Sequence, residues 1–276
     1  MQLNFKYFSK SLIIISLFFS SCETDFDPTI FVPPAKPFVT CYLTNTKSQI
    51  LLYYRTPISV NDTGWYGNVT NASIFLEDGL ITQQMYYDTS HKVYKLDTNL
   101  LPIVKGHTYE LNIMNADGTE MHATTSIPYY EPPVFDYNAS RNGSDFHYSF
   151  SFSDSSMQEK YFLFQLLITT KCTTTGCNDT NIYVLKSIPI YKAPEQTQIQ
   201  KTINFSIGYD ITFYGTVYGQ TIEAFAIDKD MFNYFNSVAS NMPAQHFDGS
   251  NAYSSPSPIY SNFKSGNGIL GPVMTE

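Results

Sequence analysis

From residue 38 onward, apolar and polar side chains alternate in short runs, each bounded by Asn, Asp, Gly or Pro. That spacing is the mark of half-buried β-strands. Segments 38–44, 49–55, 72–77, 84–88 with 92–96, 109–114 and 121–127 read as strands. Between the last two lies Asn115-Ala116-Asp117-Gly118, a hairpin signal in which Gly118 supplies the positive φ a tight turn demands. Residues 38–127 are therefore expected to form an immunoglobulin-like β-sandwich. The stiff segment Pro128-Tyr129-Tyr130-Glu131-Pro132-Pro133 leads into a second mainly-β domain, 128–276, with strands at 147–152, 161–171, 182–190, 201–207, 211–217 and 220–227. One helix is expected near 228–240. Asp228 can cap it, and Met231, Tyr234, Phe235 and Val238 at i, i+3, i+4 and i+7 make one apolar stripe. Residues 241–258, rich in Ser, Ala, Asn and Pro, read as irregular. The fold class is all-β with one short helix.

The first 37 residues follow a different logic. Lys6 and Lys10 precede an apolar run at 12–19, which ends on Ser20-Ser21 directly before Cys22. This is the three-part layout of a secretory signal. Eight residues rise only about 12 Å as a helix, far short of the roughly 20 residues needed to span a bilayer. The ending resembles a bacterial lipobox, which makes 1–21 a lipoprotein signal peptide and Cys22 the acylated first residue of the mature chain. A thiol there can carry a thioether-linked diacylglycerol, and each buried methylene adds about 0.8 kcal/mol to anchoring. The alternative is an ordinary signal peptide cleaved nearby. Residues 22–37 read as a tether: Glu23, Asp25 and Asp27 keep it solvated, while Pro28, Pro33, Pro34 and Pro37 keep it extended.

Composition narrows the function classes. Removal of residues 1–21, which hold two lysines and no acid, takes the formal charge from −8 to −10. That argues against a nucleic-acid partner. With 43% apolar residues, including 22 Tyr and 21 Phe, the chain can fill substantial sheet-lined cores. Of the cysteines beyond Cys22, Cys172 and Cys177 flank a Thr/Gly turn and read as a short disulfide of an oxidising compartment. Cys41 reads as a buried free thiol acting as a small apolar residue.

The search for chemistry returns little. There is no Gly-rich phosphate loop, nucleophile elbow or His-Glu-x-x-His. His91, His107, His122, His147 and His246 are scattered, so neither a metal nor another cofactor is expected. Asp228 and Asp230 bracket a lysine at a helix start, where carboxylates favour the dipole, and a cap is a better reading than a glycosidase pair. Trp65 and Tyr66 lie in the polar segment 61–68 between strands. A glycine-flanked aromatic there can stack on a sugar ring or a partner surface, or fold back as a lid on the core.

Three stretches carry a family resemblance. They are Val39-Thr40-Cys41-Tyr42-Leu43-Thr44-Asn45, Gly106-His107-Thr108-Tyr109-Glu110-Leu111-Asn112-Ile113 with Asp117-Gly118, and the C-terminal Ser261-Asn262 with Gly266-Asn267-Gly268-Ile269 and Gly271. In this order they resemble an uncharacterised Bacteroidota outer-membrane lipoprotein family, domain of unknown function 4249. One departure is that the chain leaves little room after Gly271 for a closing strand. The resemblance implies an outer-membrane setting and association with a TonB-dependent transporter in nutrient capture. Glu23, Asp25 and Asp27 resemble the acidic stretch after the lipidated cysteine of surface-exported Bacteroidota lipoproteins, so with the family resemblance the protein is expected to face the cell exterior; the alternative is that the acids only keep the linker solvated and the protein faces the periplasm. The expected role is a non-catalytic binding or accessory subunit. The alternatives are a structural or adhesive cell-surface lipoprotein and, further off, a hydrolase with unrecognised residues.

Overall fold

Residues 37–45, 49–57, 66–142, 145–171, 180–206, 216–245 and 259–275 are described by a computed structural model. Among the described residues the architecture is all-β with one helix, as the alternating pattern predicts. The first region contributes β1 (Phe38–Leu43), β2 (Gln49–Pro57), β3 (Tyr66–Asn68), β4 (Ser73–Glu77), β5 (Thr82–Asp88), β6 (Val93–Asp97), β7 (Thr108–Met114) and β8 (Glu120–Ser126). Together with β15 (Asn267–Pro272) they form a nine-stranded sheet in the order β15-β1-β2-β6-β5-β4-β7-β8, with β3 paired to β2.

That sheet folds over at β5, whose residues 82–85 pair with β4 and 86–88 with β6. Strand alternation then turns Val39, Cys41, Leu43, Ile50 and Leu52 from one layer, and Ile74, Leu76, Leu111, Ile113 and Met121 from the other, into a single core. Tyr109 completes the sandwich. It is fully buried, and its hydroxyl donates to the Pro102 carbonyl at 2.6 Å while accepting the Val104 N–H at 2.9 Å. This is the tyrosine corner of immunoglobulin-like sandwiches. Just upstream, Gly106 turns into β7 at a φ of 79°, and the Tyr129 ring occupies the place a Cβ would take.

The C-terminal pattern is itself the closing strand for which the sequence offered no room beyond it. β15 lies parallel to β1, from Phe38↔Asn267 to Leu43↔Pro272. Gly268 lets the backbones meet, since a Cβ there would lie 2.4 Å from the Val39 carbonyl oxygen, and Gly271 sits under Met231. The strand's other edge is stitched by side chains. Asn262 donates to the Leu270 carbonyl at 2.7 Å and accepts the Leu270 N–H at 3.0 Å, and Ser261 Oγ accepts the Gly268 N–H at 3.0 Å. Lys264 then exchanges two backbone hydrogen bonds with His122 of β8, so the sheet nearly closes on itself.

The second region holds two three-stranded sheets, β13-β10-β9 and β12-β11-β14. Their strands are β9 (Asp136–Asn142), β10 (Asp145–Ser153), β11 (Lys160–Lys171), β12 (Thr180–Lys192), β13 (Gln198–Ser206) and β14 (Thr216–Ile227). Phe146, Tyr148, Phe150 and Phe152 of β10 face Phe162, Phe164, Leu166 and Ile168 of β11 across an aromatic core. The opposite face of β11 and β14, with Tyr161, Leu163, Phe225 and Ile227, packs on α1 (Lys229–Gln245) and on Ile269 of β15. Asp228 Oδ1 caps α1 by accepting the Met231 N–H at 2.8 Å, and Met231 is fully buried. Tyr130, in the Pro-flanked link, packs against both cores; its hydroxyl accepts the Tyr161 N–H and donates to the Ile227 carbonyl, each at 2.8 Å.

Some boundaries differ from the sequence reading. The helix runs on to Gln245 into the stretch read as irregular. Of the strand expected at 211–217, residues 211–215 lie outside the described residues and Val217 belongs to β14. Strands β3 and β9 were not expected. The first is three residues long, and the second is exposed along almost its whole length, so neither carries an apolar period.

Candidate functional site

The outward residues of β1 and β2 do not face open solvent. With Val39, Cys41 and Leu43 turned inward, Thr40 and Tyr42 take the opposite face, as do Gln49, Leu51 and Tyr53 beside the inward Ile50, Leu52 and Tyr54. Across from them stand Gln165 of β11 with Glu223 and Phe225 of β14. Gln165 and Glu223 are direct cross-strand partners and so share a face. Val273 and Thr275 complete a cleft of about 500 Å³. The Val273 N–H donates to the Leu43 carbonyl at 2.8 Å, and Thr275 is held at both its N–H and its carbonyl by the Asn45 side chain.

Most of these walls are built from hydroxyl, amide and ring groups. Tyr53 is 37% exposed, and the Arg55 guanidinium lies 5.1 Å from its ring centroid. Burial, followed by the charge and hydrogen bond of the neighbouring Tyr234 phenol, holds the Tyr42 phenol far above its ordinary range, so it stays neutral. Glu223 is exposed and is the single carboxylate among the described lining residues. A second cavity of about 420 Å³ adjoins the first. It shares Glu223, Phe225 and Thr275 with it, and its remaining walls are Pro132, Pro133, Val134, Phe135, Ile222 and Ala224. The two form one bent groove along β14 with a concave, part-apolar lining of the kind that receives small ligands.

A separate ionisable group lies behind the groove. Asp228, at the end of β14, accepts a hydrogen bond from Thr125 Oγ1 of β8 as well as capping α1. Burial, with a smaller contribution from neighbouring Asp230, raises its carboxyl to about 6. It ties β8, β14 and α1 together and does not line the groove.

The residues singled out from sequence fall elsewhere. Cys22, Cys172, Cys177 and Trp65 lie outside the described residues. Tyr66 opens β3 opposite Pro57 at the far end of β2, in the same sheet as Tyr53. Cys41 is a buried free thiol, pushed up by burial to about 12. Asp228 caps the helix, as expected for an acid at that position. Among the described residues, no three His, Cys, Asp or Glu side chains converge as metal ligands. The groove residues Tyr53, Gln165 and Glu223 were not singled out. Their polar positions are visible in the alternation of β2, β11 and β14, yet nothing in the order of residues says that those strands approach each other.

A family model described as Domain of unknown function (DUF4249) matches residues 23–275. No curated protein sequence matches the chain. Among solved structures, the chitinase ChiA74 from Bacillus thuringiensis is similar at 13% identity and a TM-score of 0.20, over 69% of this chain and 29% of the chitinase. A Bacteroides uniformis protein whose description proposes carbohydrate binding is similar at 13% identity and a TM-score of 0.20, over 71% of this chain and 90% of its own. The chain thus spans under a third of the chitinase it matches, and superpositions this loose carry no argument about function.

Proposed function

This chain belongs to the DUF4249 family, a domain of unknown function, and we propose that it is a non-catalytic binding lipoprotein that captures a ligand in the groove between β2 and β14. The observation that carries the reading is the groove itself: a cleft of about 500 Å³ with an exposed tyrosine ring, two glutamines, threonine hydroxyls and one carboxylate. Rings give flat apolar contact and amides and hydroxyls give directional hydrogen bonds, a combination suited to holding a polar molecule. Two-carboxylate hydrolysis requires a second acid within several ångströms of the first, and the described lining supplies only Glu223.

The setting comes from the N-terminal sequence. Cys22, directly after the signal-like segment, carries the lipid anchor, and Glu23, Asp25 and Asp27 with the following prolines make a spacer of roughly 30 Å at about 3.1 Å per residue. No described helix is long and apolar enough to cross a membrane. In this reading the groove works at the exterior face of the outer membrane, beside a TonB-dependent transporter to which the ligand passes.

The test is affinity purification of the intact acylated protein from detergent-solubilised outer membrane, with mass spectrometry of proteins and small molecules that accompany it. A transporter together with a retained small molecule that is lost from a Tyr53→Ala variant is the expected result. Protein recovered with neither, under conditions that keep other outer-membrane complexes intact, would overturn the proposal.

A further inference from the structure

The larger cavity is lined by polar side chains that the fold itself leaves unused. Thr40, Gln49, Gln165 and Glu223 all stand in its walls, and among the described residues none of their side chains makes a hydrogen bond or an ion pair. Aspartates elsewhere in the molecule are tied down. Asp78 accepts the N–H groups of Leu80 and Ile81 at 3.0 and 2.9 Å, Asp117 accepts the Thr119 N–H at 2.9 Å, Asp88 pairs with Lys95, and Asp154 pairs with Lys160 at 2.7 Å. Glu223 has no such task. Among the described residues no lysine, arginine or histidine lines either cavity, so the groove carries the charge of one carboxylate against a wall of rings, aliphatic groups and amides. Arg55 lies outside that lining, where its guanidinium is already placed on the Tyr53 ring.

A lone carboxylate in a part-apolar cleft is complementary to a cation that carries apolar surface. We propose that the groove takes a primary amine on an apolar body, with its ammonium held by the Glu223 carboxylate and the Gln165 carboxamide oxygen and its body laid against Phe225 and Leu51. Gln165 and Glu223 are direct cross-strand partners, so their side chains rise side by side from one face, and Phe225, two residues along β14, shares that face. An ammonium has three N–H donors and no acceptor. A carboxylate and an amide oxygen therefore satisfy it together, and the charge-assisted bond to Glu223 is about twice as strong as the one a neutral hydroxyl makes there. The same carboxylate repels an anion, and Arg55 keeps a second positive charge away from Tyr53, so the ammonium has one favourable place in the groove. A sugar, hydroxylated on every side, leaves Leu51, Phe225 and Val273 poorly covered.

The inference rests on the binding role proposed above and names the ligand class. It is tested by calorimetry of the intact protein with phenethylamine, which is charged at neutral pH, beside phenethyl alcohol, which keeps the body and replaces the ammonium by a neutral hydroxyl. Wild type is expected to bind the amine about tenfold more tightly than the alcohol. Glu223→Gln is expected to bring the amine down to the level of the alcohol and to leave the alcohol unchanged, which shows at the same time that the variant keeps its fold and the apolar part of its site. Equal affinity of wild type for amine and alcohol overturns the proposal, as does an undiminished preference for the amine in Glu223→Gln or no amine binding at all. Maltotriose separates the ligand class from the binding role. If it binds in a Tyr53-dependent way and the amine does not, the ligand class falls while the binding role stands.

Discussion

The two halves of the molecule solve the problem of a sheet edge in opposite ways. In the first region β15 is sealed on both sides, by β1 along one edge and by the Asn262 side chain on the backbone of Leu270 along the other, and the sheet is nearly closed by the Lys264 bridge to His122. In the second region β14 is paired with β11, and among the described residues it exchanges backbone hydrogen bonds on its outer side at Met274, with proline in part of the wall beside it. Their cores differ in the same sense. The first is filled mainly by aliphatic side chains around Tyr109. The second is an aromatic stack in which Phe164 lies 4.1 Å from Phe150 between centroids and packs edge-on against Phe135. Rigid aromatic packing behind β11 can keep β14 straight while its outer edge is less fully paired. A sealed sheet gives the frame, and the groove lies beside the less fully paired edge.

The largest effect expected from breaking this contrast is at Phe164. Truncation to alanine removes the hub of the aromatic stack and should cost about 3–5 kcal/mol in urea unfolding, with loss of near-UV circular dichroism from the stacked rings. Leu52→Ala in the first region should cost a similar or smaller amount, about 2–5 kcal/mol, and leave that aromatic signal largely intact.

Next comes the junction between the halves. The folded Asp228 carboxyl is raised to about 6, whereas in the unfolded chain it ionises near 3.8. The folded state therefore holds this proton more tightly, so its contribution is complete below pH 3.8 and is lost as pH rises through 6. The span corresponds to about 3 kcal/mol. Asp228→Asn keeps an oxygen for the Met231 N–H and cannot ionise. Its stability relative to wild type should rise across that window, close to equal at pH 3.5 and higher by roughly that amount at pH 7. A difference independent of pH would show that burial does not hold this proton.

A smaller effect is expected at the sealed edge. Asn262→Ala strips both partners from the backbone of Leu270, a residue with no exposed surface, and should cost about 2 kcal/mol. Asn262→Asp keeps the acceptor for the Leu270 N–H and loses the donor, so it should fall between. Chemical denaturation of the three proteins checks the order.

Much of this frame was legible in the chain because its signals are local. Alternation marks β1 and β7, and short apolar runs mark β2 and β11; Asp117-Gly118 marks the turn between β7 and β8, where Gly118 takes a φ of 82°; Asp228 and the apolar stripe mark α1. The C-terminal Ser-Asn and glycine pattern was visible as a motif, but its meaning was not. Gly268 and Gly271 are explained by contacts with a strand some 230 positions earlier and with a helix, and Ser261 and Asn262 by bonds to the backbone of the strand those glycines build, and no local period encodes those approaches. The groove was hidden for the same reason. Tyr53 and Glu223 are each ordinary outward residues of a strand, and only the packing of the second region against the outer face of the first makes them opposite walls. Trp65 is the more conspicuous aromatic in the sequence because it interrupts a polar segment, whereas Tyr53 blends into its strand.

The contrast between the two edges is tested most directly by amide hydrogen exchange, residue by residue, at Leu270 and Ile222. The Leu270 amide, bonded to Asn262, should exchange slowly, and the Ile222 amide much faster than the β14 amides bonded to β11. If Ile222 is as protected as Leu270, the edge of β14 is as sealed as that of β15, and the contrast drawn between the two regions is wrong.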